Sequence, residues 1–557
     1  MHLHEQYRLL QQHYGEQPVS PGVAELAALL VCSPRNVRLQ LAKMQQQGWL
    51  AWQPGRGRGH RSVLQCLQPP QDLQWQRTHR LLQRGELEQA FASLPPDGRS
   101  QLMAQLPAYL GASANRRQLR IPIHRPLATL DPLHVTSRLE AHLVRQVFDR
   151  LCSFDIATQT LQPALAHSWQ ADASARQWRF WLRPGVQFHD GSPLDAWAVA
   201  ASVQRLHEQA GPWMQQYRGL RAIRVHDALS LSFELADTDW LWPQRLITAN
   251  ASIVPVRRGD DFAQLPVGSG PFRVARHSAQ RLSLEANLRY YRERPLLDGI
   301  DLWVLAAPAG ADFHLRLDQP VSGRSQPLQS ACTYLLANTR RPWCRDDARR
   351  RALLHWLSQP PLVTADDPLR EPASGLLPDW QQPGVQPAAA PLPAGQVLTL
   401  VTYELASFQP LAQSIADRLA AAGVGLRIRT LDYPRYERFE DWWHDTDLVL
   451  SSEVLHDDRD YSCYEWLGGN PLLQAALGEG GAARMAAALQ VVQATPAREA
   501  RMQAYQRIAD WLVAEGWLLP LSHERQGVAA SPRVGGLALG LNGWMDFASL
   551  WLRDDDG

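Results

Sequence analysis

Between Leu26 and Gln71 the chain carries no aspartate or glutamate, yet it places Arg35, Arg38, Lys43, Arg56, Arg58 and Arg61 there. In a protein whose formal net charge is only +1, such a window answers to a local partner rather than to bulk charge. The residues around these cations narrow the folds that can present them. The spacing predicts a helix over residues 4–14, with Leu9 and Leu10 on its apolar face and Gly15 near its end. "GVAELAALLVCS" continues as a second short helix that buries Val23, Leu26, Leu29 and Leu30. Ser33 is placed to cap a third helix, Pro34 suits its first position, and the helix runs through "PRNVRLQLAKMQQQ" to stop at Gly48. Val37, Leu41 and Met44 share one face of it. At about 100° per residue the opposite face holds Arg35, Leu39, Ala42 and Gln46, flanked by Asn36, Arg38 and Lys43. Two helices joined by a short turn make a helix-turn-helix, whose second helix enters a major groove.

After Gly48 the period changes. "WLAWQ" and "RSVLQ" are β-prone runs on either side of "PGRGRGH", so they should pair as a hairpin. A hairpin directly after a recognition helix is the wing of a winged helix. Its glycines let the loop follow a duplex backbone, and its guanidiniums supply phosphate or minor-groove contacts. The candidate DNA contacts are therefore Ser33, Arg35, Asn36, Arg38 and Lys43 from the helix, with Arg56, Arg58, His60 and Arg61 from the wing. Six cations on phosphates would give a log K against log salt slope of roughly −5. Residues 1–68 form this mostly helical unit. Residues 69–116 hold two further helical segments without recognisable chemistry and read as a linker.

A chain of 557 residues splits into several units, and the remainder mixes strands and helices. "RQLRIPI" opens it as a strand. "QWRFWLRPGVQFHDGSPLDAWAVAASVQRL" alternates as a strand, turns at Pro184-Gly185 and Asp190-Gly191, and enters a helix near Leu194. "LPVGSGPFRVARHSAQRLSLEAN" is a glycine turn feeding two antiparallel strands. Beyond a Pro/Ala-rich interval, "VLTLVTY", "PLAQSIADRLAAAG" and "LRIRTLDY" read as a βαβ crossover in a largely parallel sheet.

Chemistry-bearing motifs are sparse. Cys32, Cys66, Cys152, Cys332, Cys344 and Cys463 are scattered without a CxxC or CxxC…HxxxH spacing, so neither a zinc site nor any other metal is expected. "GSGPF" lacks the nucleophile-elbow spacing, and no HExxH, P-loop or GxGxxG occurs, so the chain reads as a non-enzyme without a cofactor. The 21 tryptophans suit core and cleft lining. "MHLHEQYRLLQQHYG" is not a charged segment followed by an apolar one, and no run of 18 apolar residues exists. The expected compartment is the cytoplasm, with no membrane partner.

Asp131-Pro132, "LQPALAHSWQ", "RFWLRPGVQFHDGSPL", "VGSGPF", "ADRLAAAGVGLRI" and "GLALGLNGWMDFASLW" resemble the family 5 extracellular solute-binding proteins over roughly residues 117–557. With the winged helix in front, and with "ELAALLVCS", "MQQQGWLAWQ" and "GRGRGHRS", the chain resembles the SgrR-type transcriptional regulators along its whole length. The resemblance implies a multi-domain protein: a winged helix-turn-helix and a two-lobed α/β body of the periplasmic-binding type II kind. Lobe I would take about 117–298 and 516–557, and lobe II about 299–515. It implies a regulator that binds double-stranded promoter DNA, senses a small molecule (a sugar phosphate) and activates stress-response or transport genes, with RNA polymerase as a further partner. By position in the family, the implied ligand contacts are His124, Arg125, Trp343, Arg345, His456 and Asp457. Two alternatives stand beside this reading: a transporter's solute-binding protein, and a DNA-binding regulator whose body is a protein-interaction module.

Overall fold

The computed structural model describes residues 3–55, 62–83, 87–95, 98, 101–102, 111–112, 117–123, 125–209, 214–304, 328–364, 367, 370–405, 407–525, 534–537, 540 and 545–553. They form two compact units, Met1–Leu110 and Gly111–Gly557. No described helix is long and apolar enough to cross a membrane.

In the first unit, α1 (Leu3–Tyr14), α2 (Val23–Leu29) and α3 (Pro34–Gln46) precede a hairpin of β1 (Leu50–Gln53) and β2 (Val63–Cys66). The hairpin is antiparallel, with Leu50 opposite Cys66 and Gln53 opposite Val63. Val19 adds a single bridge to Leu64 on its open side. One core joins Tyr7 and Leu10 of α1, Leu26, Leu30, then Val37, Leu41 and Met44 of α3, and Trp49, Leu50 and Leu64. Val23 and Leu29 are only half-buried, because the face of so short a helix that meets the core is narrow. Gly48 stops α3 with φ +70, a conformation that favours glycine. The Tyr7 hydroxyl donates to the Trp49 carbonyl at 2.7 Å and ties α1 to the hairpin. The expected linker does not start free: α4 (Pro70–Gln83) lays Leu73 into this same core.

Among the described residues, the second unit has three sheets of four or more strands, two two-stranded ladders and three cores. β3 (Gln118–Ile123) runs parallel to Gly299–Val304, and both lie within a five-stranded sheet completed by Gly111–Ala112, Phe272–His277 and Arg281–Ala286. Val534, Met545, Phe547 and Leu550 return to close its core. α5 (Arg138–Val147) packs Leu139, Leu143, Val144 and Val147 onto that core. The turn expected around "VGSGPF" approaches the end of α5 so closely that a Cβ on Gly270 would lie 2.6 Å from the Val147 carbonyl carbon. An antiparallel four-stranded sheet, in the order 166–171, 177–182, 230–235 and 220–227, carries the helix Ala196–Glu208, capped by Asp195.

The third sheet holds β4 (Ala331–Ala337), β5 (Val397–Tyr403), β6 (Gly425–Leu431), β7 (Leu448–Val454) and β8 (Leu518–Glu524). Its order is Arg370–Pro372, β8, β4, β7, β5, β6. β5 and β6 are parallel across the helix Phe408–Ala421, as expected of the βαβ unit. The sheet as a whole is mixed, because β4 is antiparallel to both β7 and β8. The lobe boundaries also move. Gly299–Val304 hydrogen-bonds inside the first lobe's sheet, and β8 inside the second's, so the chain crosses between residues 304 and 331 and between 524 and 534. Both strands are largely buried apolar runs, and only their ladder partners assign them to a lobe.

Candidate functional site

The face of α3 is built by local rules. Ser33 has extended backbone angles, and its Oγ accepts from the Asn36 N–H at 3.4 Å, satisfying one orphan donor of the first turn. Val37, Leu41 and Met44 are fully buried, which fixes the helix rotation and leaves Arg35, Asn36, Arg38, Leu39, Ala42, Lys43 and Gln46 exposed. Asn36 Oδ1 accepts from the Gln40 amide at 3.4 Å. Arg35, Asn36, Arg38 and Lys43 therefore stand together on one solvent face, and Ser33 serves as the cap of that helix. Arg56, Arg58, His60 and Arg61 lie outside the described residues, as does His124.

A second constellation gathers at the carboxyl ends of β5, β6 and β7, the edge where open α/β sheets take ligands. Tyr403 ends β5 and sits 3.1 Å from Ser452 through the two hydroxyls. Its ring meets Tyr433 at 5.4 Å and Tyr436 at 4.8 Å. After β7, Asp457 approaches Arg145 of α5 at 3.7 Å, joining the two lobes. His456 Nε2 lies 3.5 Å from Glu465, and its backbone N–H donates to Ser462 at 3.0 Å. Glu465 also accepts from the Gln216 amide at 3.0 Å. Burial opposes its ionisation, but His456, Gln216 and Arg145 together outweigh that and hold the carboxyl below its usual range. Burial, reinforced by Glu465, pushes the half-buried Glu453 carboxyl up to about 7, against the Asn470 amide that donates to it at 3.0 Å and the more distant Arg138. Arg138, exposed at the start of α5, also acts on Tyr403 and Tyr433.

The implied ligand residues separate on this geometry. His456 and Asp457 follow the carboxyl end of β7, where Asp457 meets Arg145 of the first lobe. Arg125 faces Tyr433 and Glu437 electrostatically, but both its terminal nitrogens are engaged by Glu140, at 2.6 and 2.8 Å, and one also donates to Ser137. Its fork holds the β3–α5 loop, with little left for a ligand. Trp343 and Arg345 stand apart from this group. They follow the end of β4 that pairs with Leu448, whereas His456 and Asp457 follow Val454, which pairs with Ala331 at the other end. Seven strand residues separate the two ends by roughly 20 Å. Trp343 is core, with the Arg349 guanidinium over its ring at 5.0 Å, and Arg345 is an exposed side chain that donates to the Arg340 carbonyl at 3.5 Å. The residues that sequence reasoning passed over are Arg138, Arg145, Glu453 and Glu465. The signal for the two arginines was their seven-residue spacing on a helix whose other face is apolar. No group of three or more His, Cys, Asp or Glu among the described residues is placed to hold a metal ion.

Comparison with known proteins agrees with both halves. Residues 2–117 match the family described as sugar transport-related sRNA regulator, N-terminal, and residues 160–316 match the middle region of the bacterial extracellular solute-binding proteins, family 5. Among solved structures, the body resembles a dipeptide-binding protein from Pseudoalteromonas sp. SM9913 in complex with Met-Leu, with a TM-score of 0.64 at 18% identity over 78% of this chain and all of that one. It resembles NikA from Brucella suis in complex with Fe(III)-EDTA similarly, with a TM-score of 0.62 at 18% identity over 78% of this chain and 100% of that one. The HTH-type transcriptional regulator SgrR of Salmonella typhimurium is 32% identical over 96% of this chain and 95% of its own. That of Yersinia enterocolitica is 30% identical over 99% of this chain and 98% of its own. Aligned almost end to end with these regulators, and carrying a winged helix before a solute-binding body, the chain belongs to the SgrR family of HTH-type transcriptional regulators.

Proposed function

We propose that this chain is a one-component activator: its winged helix binds double-stranded promoter DNA, and its two-lobed body closes on a sugar phosphate. The observation that carries the DNA half is the exposed face of α3, where Arg35, Asn36, Arg38 and Lys43 stand opposite Val37, Leu41 and Met44. For the ligand half, Arg138 and Arg145 of the first lobe bring forked donors suited to phosphate. Asp457, Glu453 and Glu465 of the second bring acceptors suited to hydroxyls, and the tyrosines around Tyr403 offer flat faces. A ligand bridging the lobes shifts the regulator only through unequal affinity for their open and closed arrangements. The family match supports a cytoplasmic protein that controls stress-response or transport genes, a small regulatory RNA gene and its own promoter among them. RNA polymerase is its partner there, and no catalysis is involved.

The test is a gel-shift salt titration on the DNA upstream of its own gene and on a scrambled control, with and without a panel of hexose phosphates. The expected result is preference for the upstream DNA, altered by one of the phosphates. Preference indifferent to all of them rejects the ligand class, and equal binding to both DNAs rejects the operator.

A further inference from the structure

Leu39 is 51% exposed, and it lies near the middle of the helix face directed away from the core of the first unit. At about 100° per residue, Val37, Leu41 and Met44 centre on one direction of α3, and Leu39 points within about 15° of the opposite one. Arg35 stands one turn before it and Lys43 one turn after, with Arg38 beside Ala42 at the flank; all are exposed. Ala42, small and exposed, lies three residues on and extends the apolar spot without adding bulk. A single exposed leucine needs no explanation on a protein surface. A leucine ringed by cations, on a face with no acid from Leu26 to Gln71, has charge complementarity with a polyanion and an apolar centre with nothing to match it in the phosphates. On a duplex, the apolar group offered in the major groove is the thymine 5-methyl.

We propose that Leu39 reads a thymine by packing on its 5-methyl group, between the flanking phosphate and base contacts of Arg35 and Lys43. This rests on the reading of α3 as the DNA-reading helix and adds to it the base that its central residue selects. Ala42 leaves room for the methyl to approach, and the cations hold the helix in register while the leucine supplies discrimination.

The test begins with selection of binding sites from random duplexes by the full-length protein. Each thymine of the selected site is then replaced singly by deoxyuridine, which removes only the methyl. Affinities are measured for the wild type, Leu39→Ala and Leu39→Gln. At one thymine of the site, or one in each half of a symmetric site, the wild type is expected to lose roughly threefold to fourfold, the worth of one buried methyl. Leu39→Ala should lose a similar factor on the thymine site and be indifferent to deoxyuridine there, with its salt slope unchanged because no phosphate contact is lost. Alanine is the better helix former, so the variant keeps α3. Enrichment of a site at which deoxyuridine never matters would overturn the role of Leu39 and leave the DNA-reading helix standing. No enrichment would overturn both. A change in oligomeric mass for Leu39→Ala, with its DNA preference intact, would assign the leucine to a protein interface instead.

Discussion

Val31 shows how a single residue can hold a turn at a cost. It lies between α2 and α3 with φ +48 and is 85% exposed, so a β-branched side chain occupies the left-handed region and packs on nothing that would repay it. For an L-residue this costs about 1–2 kcal/mol. Glycine removes the strain and gives back about 0.5–1 kcal/mol through the freer unfolded chain. Val31→Gly should therefore stabilise the first unit by about 0.5–1 kcal/mol. Amide exchange in α2 and α3 should slow roughly twofold to fivefold; faster exchange would show that the side chain has a packing role. Arg125 teaches the reverse lesson. Its residue type suits an anion, but Glu140 occupies its fork, so its neighbours, and not its type, decide its work.

At the scale of elements, the proposed DNA contacts assign reading to α3 and holding to the wing. Replacing Arg35 and Arg38 with alanine should reduce the preference for operator over scrambled DNA. Replacing Arg56 and Arg58 should weaken binding on every sequence and flatten the log–log salt slope by roughly 2. Salt titrations of the two double variants on both DNAs make the comparison; equal losses on all DNAs would remove α3 as the reader. α5 has a comparable division. One face of it buries Leu139, Leu143 and Val147, while Arg138 and Arg145 face the second lobe. The helix thus carries the first lobe's charge to the second, and its sequence pattern shows an apolar face without showing what the other face meets.

At the scale of the body, a carboxyl near the meeting of the lobes ties stability to pH. Glu453 keeps its proton up to about 7 in the folded state, above its ordinary value of 4.5. Between those values the folded chain holds a proton that the unfolded chain has released, so this group's contribution to stability falls as pH rises through the window. Glu453→Gln cannot ionise, and its amide oxygen can still accept from Asn470. The variant should match the wild type below pH 4.5 and exceed it at pH 8 by about 1–2 kcal/mol, a figure reduced from the full shift because the side chain is only half-buried. Urea unfolding across pH 4–8 measures this; parallel curves for the two proteins would mean that Glu453 ionises normally. Asp149 and Asp458, raised to about 6 mainly by burial, contribute to the same slope and would survive the substitution.

The helix-turn-helix, its Ser33 cap, the Gly48 stop, the hairpin pairing and the βαβ crossover were legible in the sequence. Each is set by side chains a few residues apart or by a period of 2 or 3.6, so the chain writes them locally. The constellation at the carboxyl ends of β5 to β7 was legible only in part. His456 and Asp457 follow a strand in the family manner, but Trp343 and Arg345 do too, and nothing local records that β4 runs antiparallel to β7 and carries them to the far end of the sheet. The lobe of Gly299–Val304 and of β8 was undecidable for the same reason, since a buried strand belongs to whichever ladder completes its hydrogen bonds. By itself the sequence determined the elements and the cationic exposed face of α3. The tertiary structure alone decided which elements share a sheet, which arginine is spent on a partner, and which charges meet across the lobes, because those depend on contacts between separate elements, from Arg125 with Glu140 to Arg145 with Asp457.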